Sequence, residues 1–379
     1  MNSPIWIPSN EKIKNSLMYK FMKECSEDFK SYFDLHSWSI NNLEDFWANF
    51  WRFSDIKYSK NYNSVLENPV MPGAKWFSGS ELNYAQNLLK GDPDQIAIIS
   101  IGENIPPKTL TFKELNYKVS SVQKGLSKLG VKKGTIVAGF VPNCVETVIS
   151  MLAVSSLGGV WTSCSPDFGA NGVVDRFGQV NPHILITSNG YSYNGKLFKL
   201  EEKVNGVLES IDSIRHIVEI EYVDIKSNFN HDSIISFGDI LNDGQTQPTF
   251  EQLPFDHPLF IMYSSGTTGP PKSIVHSAGG TLIQHMKEHQ LHCDIKAGKS
   301  TIFWFTTCGW MMWNWLVSGL SSGSTIVLYD GSPSYPSLDR LWKMIGDLNI
   351  THFGTSPKFL SACDSANILP KKFCKFGSL

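Results

Sequence analysis

Short runs of β-branched and aromatic residues alternate with helical segments from residue 96 onward, and this alternation most constrains the fold. Strand-like runs include IAIISI at 96–101, TIVAGFV at 135–141 and HILITS at 183–188. A second alternation begins with PLFIMYSSG at 258–266 and continues through TIFWFTT and TIVLYD. Near-continuous apolar strands between helices are typical of parallel sheets that are covered on both faces. We therefore predict an α/β protein with two parallel-type subdomains.

The sequence also marks one helix at both ends. Thr111 and Glu114 have the spacing of a capping box, and Gly130 is the expected stop signal. The first eighty residues do not show this alternation of strands and helices, and their helical patterns are rich in Phe, Trp and Met. We predict a helical N-terminal extension over 1–80, a first α/β subdomain over 81–255 and a second over 256–379 that carries the candidate loop described below.

Composition favours small-molecule chemistry. The chain has 379 residues, of which 41% are hydrophobic and 18% charged, and a formal net charge of −2. Nucleic-acid binders usually carry a basic excess on one face, so no nucleic-acid partner is predicted.

The cysteines and the hydropathy pattern indicate a cytosolic protein. The seven cysteines are widely spaced without a C-x-x-C pair, which favours free thiols in a reducing compartment. The N-terminus lacks the pattern of a secretory signal. The uncharged run Thr147–Pro166 is interrupted by glycines and hydroxyls, so it predicts a buried helix followed by a strand and no membrane partner.

The stretch YSSGTTGPPK at 263–272 combines hydroxyls, glycines and a lysine between apolar strands. A phosphate chain needs converging N–H groups and hydroxyls, close backbone approach and a cation. The P-loop pattern G-x-x-x-x-G-K-[ST] is absent, and a surface turn is the simpler alternative. The ordered combination with Pro-Pro-Lys favours a phosphate site instead. Its candidate residues are Ser264, Ser265, Gly266, Thr267, Thr268, Gly269 and Lys272.

YSSGTTGPPK resembles the phosphate loop of the adenylate-forming superfamily, which includes acyl-CoA synthetases. The resemblance implies that a carboxylate is activated with ATP to an acyl-adenylate and then transferred to a thiol such as that of CoA. It also implies that the loop binds the β- and γ-phosphates, with Thr267 and Lys272 as catalytic residues. Mg²⁺ is implied as well, but no metal ligand is assigned within this chain.

A narrower resemblance links the chain to the acetoacetyl-CoA synthetase family. It depends on WFTTCGWMMWNWL at 304–316, WFSGSELNYAQNLL at 76–89 and HFGTSPKFL at 352–360. By this resemblance Trp310, Met311, Met312 and Trp313 would line a pocket for a short 3-oxo acid, acetoacetate. The alternative is that GWMMWNWL begins a buried helix, in which Trp313 or Trp315 belongs only to the core.

Three further residues follow from the same resemblance. Thr355 and Ser356 come after a predicted strand, where the family borders its acyl and adenylate site. Without the resemblance, Ser356 before Pro357 is an ordinary helix N-cap. Lys196 occupies the position at which related synthetases contact the nucleotide phosphate of CoA, although a solvated lysine is the simpler interpretation.

HMKEH at 285–289 offers a competing hypothesis of a different class. It fits the H-x-x-E-H pattern of some zinc hydrolases, and His292 and Cys293 continue the same helical face. No further motif supports zinc, so a packed or solvent-facing histidine face is favoured.

The resemblance predicts an acid–thiol ligase that converts acetoacetate, ATP and CoA to acetoacetyl-CoA. The family's downstream magnesium ligand, ribose-binding Asp, hinge and C-terminal domain cannot be assigned before Leu379. We therefore expect a truncated form that lacks the C-terminal domain and is poorly active or inactive. Two alternatives are an acetyl- or propionyl-CoA synthetase and a non-catalytic nucleotide-binding fragment.

Overall fold

The computed structural model describes residues 6–25, 27–241, 246–264 and 269–374. Its helices are α1 Asn10–Lys14, α2 Leu17–Glu24, α3 Tyr32–Asn41, α4 Leu43–Phe53, α5 Tyr84–Leu88, α6 Phe112–Lys128, α7 Val145–Ser156, α8 Ala170–Phe177, α9 Glu201–Ser210, α10 Phe237–Ile240, α11 Ala278–Lys287, α12 Met311–Ser318, α13 Arg340–Asp347 and α14 Pro357–Ser365. Its strands are β1 Tyr58–Lys60, β2 Ser64–Glu67, β3 Lys75–Ser78, β4 Glu81–Leu82, β5 Ile96–Gly102, β6 Ile105–Thr111, β7 Ile136–Phe140, β8 Val160–Cys164, β9 Ile184–Ser188, β10 Gly190–Tyr193, β11 Lys196–Lys199, β12 His216–Ile220, β13 Ile234–Ser236, β14 Leu253–Pro254, β15 Pro258–Ser264, β16 Lys272–Ser277, β17 Thr301–Trp304, β18 Thr325–Asp330 and β19 His352–Gly354.

Two large sheets form the body of the protein. In the part of the chain that the structure describes, the first sheet has seven strands in the order β13-β12-β9-β7-β8-β15-β16. All of its neighbours are parallel except the edge pair β15 and β16. The second sheet has the order β19-β17-β18-β5-β6, with only β6 antiparallel. The prediction of an α/β fold with parallel-type sheets is confirmed.

Strands from both predicted subdomains contribute to each sheet. Strands β5 and β6 pair into the sheet of the later strands, whereas β15 and β16 extend the sheet of the earlier ones. The sheets therefore do not divide at residue 255. The limits 1–80, 81–255 and 256–379 stay a prediction about separable units.

Alternating side chains on the strands place each sheet between two layers of helices. On β9, Ile184 and Ile186 join a central core, while Leu185 faces a second core on the opposite side. The central core also contains residues of β5, β17 and β18 together with α6, α7, α11 and α12, so these helices lie between the sheets. Helices α8 and α9 cover the outer face of the first sheet, and α13 and α14 cover that of the second. The result is a five-layer arrangement, since successive residues of a strand point to opposite faces.

The N-terminal helices pack through aromatic rings. Phe21 of α2 makes edge contacts with Phe46, Phe50 and Phe53 of α4, at centroid distances of 5.7, 6.0 and 5.3 Å. The start of α2 is joined to the main body because the Leu17 amide donates to Asp294 at 2.7 Å. The helices predicted for this extension are present as α1 to α4, whereas the later part of the predicted range contains the strands β1 to β3.

Local sequence signals fix several helix ends. The Thr111 hydroxyl accepts from the Glu114 amide and the Glu114 carboxylate accepts from the Thr111 amide, so the predicted capping box begins α6. The run 147–166 forms most of α7 and all of β8, as predicted. Across the described ranges, no helix combines the length and apolar character needed to cross a membrane.

Candidate functional site

The candidate phosphate loop connects the antiparallel strands β15 and β16. Ser264 pairs with Lys272 at the turn end of this hairpin, so the hydroxyl and the ammonium group flank the connecting loop. Lys272 and Gly269 are exposed, and a Cβ on Gly269 would meet none of the described atoms within 4 Å. Ser265, Gly266, Thr267 and Thr268 lie outside the described residues. The hairpin thus presents a cation and space at the edge of the first sheet, and the phosphate role stays a prediction.

Residues of helix α8 and of the turn after it lie against the end of the hairpin that carries Lys272. The Gln179 side chain donates to the Pro271 carbonyl at 2.7 Å and accepts from the Ser273 hydroxyl at 3.0 Å. The Arg176 guanidinium lies 4.7 Å from the centroid of the Phe168 ring and 5.9 Å from that of Tyr263. Arg176 is therefore a second cation near the strand that leads into the loop. Sequence reasoning missed both Arg176 and Gln179, because nothing local marks a partner about 90 residues away.

The predicted acyl-pocket residues separate into exposed and buried groups. Trp310 and Met311 are 64% and 47% exposed, whereas Met312 is half-buried against the central core. Trp313 is fully buried, and its indole N–H donates to Asn143 Oδ1 at 2.9 Å. The first residues of WMMW therefore lie at the surface and Trp313 lies in the core, and a contact of any of these side chains with substrate stays a prediction.

A small cavity lies beneath the start of α12. It is lined by residues of β8 and β15, by Cys308 and Gly309, and by Asn314 of α12, and its volume is about 10 Å³. Strand β15 continues from this cavity directly to Ser264 at the phosphate hairpin. Asn314 is a polar lining residue that sequence reasoning missed, because its position within an aromatic run made it resemble the surrounding core.

Thr355 and Ser356 follow β19 at the carboxyl edge of the second sheet. The Ser356 hydroxyl accepts from the Phe359 amide at 3.2 Å and Pro357 begins α14, so Ser356 is the helix N-cap. Thr355 Oγ1 is buried and has no hydrogen-bond partner among the described residues. A contact of either side chain with substrate stays a prediction, and Thr355 has the unused hydrogen-bonding capacity.

Lys196 lies on the hairpin of β10 and β11, whose orientation depends on a buried carboxylate. Lys196 is exposed and pairs with Tyr193 across the turn. Glu103, which is 5% exposed, accepts hydrogen bonds from the backbone amides of Asn194 and Gly195 at 3.0 and 2.8 Å. The hairpin is therefore fixed to the second sheet, where it presents Lys196 to solvent.

His285 of α11 and His289 of the π-helical turn that follows it, Glu288–His292, pack against the interior of the protein. Burial lowers the pKa of His289 to about 3 and that of His285 to about 4, and in both cases a neighbouring histidine lowers it further. His289 Nε2 lies 3.0 Å from the Trp315 carbonyl oxygen and 2.9 Å from Ser318 Oγ. In the described part of the chain, no group of three or more His, Cys, Asp or Glu side chains could hold a metal ion. His285 and His289 are therefore packed, neutral side chains.

Comparisons with known proteins agree with this geometry. The AMP-binding enzyme family matches residues 86–377, and the acetyl-coenzyme A synthetase N-terminus matches residues 32–88. The acetoacetyl-CoA synthetase of Gallus gallus is 42% identical over 97% of this chain, and the acetoacetyl-coenzyme A synthetase of Rhizobium meliloti is 40% identical over 99%. The solved structure of acetoacetyl-CoA synthetase from Streptomyces lividans matches the whole chain with a TM-score of 0.95 at 39% identity.

This chain spans 57% of the Gallus protein, 58% of the Rhizobium protein and 59% of the Streptomyces chain. The resemblance first drawn from YSSGTTGPPK is confirmed by these matches. Because the match to the AMP-binding enzymes extends over residues 86–377, most of the sequence, this chain belongs to the AMP-binding enzyme family.

Proposed function

We propose that the chain takes part in an acid–thiol ligase reaction in which acetoacetate reacts with ATP to form an acyl-adenylate and pyrophosphate. Transfer of the acyl group to CoA then gives acetoacetyl-CoA and AMP. ATP enters as its magnesium complex, and the reaction takes place in the cytosol without a nucleic-acid or membrane partner. The observation that supports this proposal best is the hairpin that joins Ser264 and Lys272 beside the lined cavity under α12.

The residues have distinct roles in this proposal. Amides and hydroxyls between Ser264 and Gly269 contact the terminal phosphates, and Lys272 offsets their charge. Trp310 and Met311 cover the entrance to the acyl site, while Thr355 contributes a hydroxyl at the edge of the second sheet. Lys196 contacts the nucleotide phosphate of CoA. Holding the carboxylate near the α-phosphate supplies rate through orientation.

The test is ATP–pyrophosphate exchange by the purified chain with acetoacetate, acetate and propionate, together with a direct measurement of ATP binding. We expect exchange with acetoacetate to exceed exchange with the other acids. Lys272→Ala should lower kcat/KM for ATP by about tenfold or more, because a cation on the phosphates is lost. The matched control is Lys343→Ala on α13, whose exposed side chain lies on the outer layer of the second sheet.

Each outcome separates the candidates. Faster exchange with acetate or propionate would favour the acetyl- or propionyl-CoA synthetase alternative. ATP binding without exchange for any acid would favour a nucleotide-binding chain without turnover. Absence of both binding and exchange would contradict the proposal.

A further inference from the structure

Asn314 is a buried amide with unused hydrogen-bonding capacity. It is 4% exposed and lies one turn into α12, where it lines the small cavity under that helix. Its Nδ2 lies 3.4 Å from the Met262 sulfur, which is a weak acceptor, and its Oδ1 has no hydrogen-bond partner among the described residues. The amide nitrogen carries a second N–H beside the one that faces the Met262 sulfur, and a buried donor of this kind favours a ligand that supplies an acceptor.

The other polar groups of the cavity are already paired. The Thr162 hydroxyl donates to the Ile261 carbonyl at 2.8 Å and lies 2.9 Å from the Tyr263 hydroxyl. The Ser163 hydroxyl donates to the Cys308 carbonyl at 2.7 Å. Asn314 is therefore the lining side chain, within the described ranges, that retains both a free N–H and a free acceptor.

The cavity and the phosphate hairpin share the strand β15. Met262 is two residues before Ser264, so the strand that carries the phosphate hairpin also forms the cavity lining. We place the carboxylate of the acid toward the hairpin, so that its chain extends toward Asn314. The cavity volume of about 10 Å³ is that of a single water, so the acyl chain must displace a side chain. Met262 suits this displacement, because methionine is flexible and its sulfur gives up only a weak contact.

We propose that Asn314 determines specificity for the 3-oxo group of the acid, its amide N–H donating to the ketone oxygen. This inference rests on the proposed function and deepens it. A ketone oxygen at the third carbon is a stronger acceptor for the Asn314 amide than the Met262 sulfur is. The corresponding alkanoic acid, butyrate, has no acceptor at that carbon. Apolar contacts alone discriminate weakly between acids of equal length, but a site built around a hydrogen bond rejects an analogue that lacks the acceptor.

The experiment compares acetoacetate and butyrate binding to the native chain and to Asn314→Leu, by calorimetry in the presence of ATP. The native chain should prefer acetoacetate by about tenfold or more. In the leucine variant the preference should fall to about threefold or less, because acetoacetate loses its partner while butyrate retains its apolar contacts. Asn314→Ala, which cannot overpack the cavity, should behave in the same way. Lys343→Ala on the outer layer of the second sheet is the control and should keep the preference.

A second measurement observes the ketone group directly. Acetoacetate labelled with ¹³C at the ketone carbon should show a downfield shift on binding to the native chain, and Asn314→Leu should abolish the shift. Thermal unfolding of each variant shows whether it is folded. An unshifted ketone resonance in native-bound acetoacetate, or a preference retained in both Asn314 variants, would overturn the inference and leave the proposed function intact. If the native chain binds neither acid and shows no exchange, the proposed function fails and the inference fails with it.

Discussion

His289 is a fully buried imidazole whose protonation the fold opposes. Its pKa is lowered to about 3, first by burial and then by the nearby His285. A carbonyl oxygen can only accept, so the ring donates from Nε2 toward the Trp315 carbonyl at 3.0 Å. The folded protein therefore keeps this side chain neutral at any pH at which an exposed histidine would titrate.

This burial makes the stability of the fold depend on pH. The unfolded chain binds a proton at His289 near pH 6.5, whereas the folded chain does so only near pH 3. The stabilisation that comes from keeping His289 neutral is therefore fully present above pH 6.5, and it is lost as the pH falls from 6.5 toward 3. His289→Gln keeps an N–H donor but cannot titrate. Between pH 7 and pH 5.5 the variant should lose about 1 kcal/mol less unfolding free energy than the native chain.

Urea denaturation at the two pH values measures this difference. The control is His36→Gln on α3, whose side chain is exposed, and it should show the pH dependence of the native chain. Equal losses in the native chain and in His289→Gln would show that this imidazole titrates normally in the fold.

At the scale of elements, local signals were predictable and distant partners were not. The capping box of Thr111 and Glu114 placed the start of α6, and Ser356 with Pro357 placed that of α14, since capping involves residues three apart. Trp313 was ambiguous, because an apolar run does not reveal which side chains face a pocket. Its burial depends on Asn143, 170 residues away, which accepts its indole N–H.

The hairpin of β15 and β16 should depend on a single side chain outside it. Gln179 contacts both the Pro271 carbonyl and the Ser273 hydroxyl. We expect Gln179→Ala to speed amide hydrogen exchange in β16 and to weaken ATP binding about two- to fivefold, because each partly exposed hydrogen bond contributes little. Exchange mass spectrometry and ATP titration measure the two effects.

Ser273→Ala provides the matched comparison, because it removes only one of the two contacts. Its effect on exchange in β16 should be in the same direction and smaller. Unchanged exchange in Gln179→Ala would mean that pairing with β15 alone holds the strand.

At the scale of the whole molecule, the sequence could not give the order of the strands. Strand β5 pairs with β18, from which it is separated by more than 200 residues, and β15 pairs with β8 about 100 residues earlier. Apolar periodicity identifies a strand but carries no information about its neighbour. The sequence patterns therefore could not show that strands from both sides of residue 255 share each sheet.

Glu103 connects three segments that are far apart in the sequence. Besides the amides of Asn194 and Gly195, its carboxylate accepts from the Ser332 amide, which follows β18, at 2.5 Å. A buried carboxylate that accepts several N–H groups contributes strongly, since hydrogen bonds to charged groups exceed neutral ones. Glu103→Gln would point an NH₂ group at these donors. We expect it to lower the free energy of unfolding by about 2–3 kcal/mol at pH 7, as measured by urea denaturation.

Where Glu103→Gln loses stability shows whether Glu103 connects the β10–β11 hairpin to the second sheet or makes only a local contact. Glu81→Gln is the control, because its carboxylate lies 3.8 Å from Lys60 in an exposed ion pair that contributes little. If Glu103 holds the β10–β11 hairpin to the second sheet, Glu103→Gln should also speed amide exchange around Asn194 and weaken CoA binding through Lys196, while ATP binding changes less. A variant as stable as the native chain, with unchanged exchange in that hairpin, would show that strand pairing alone positions Lys196.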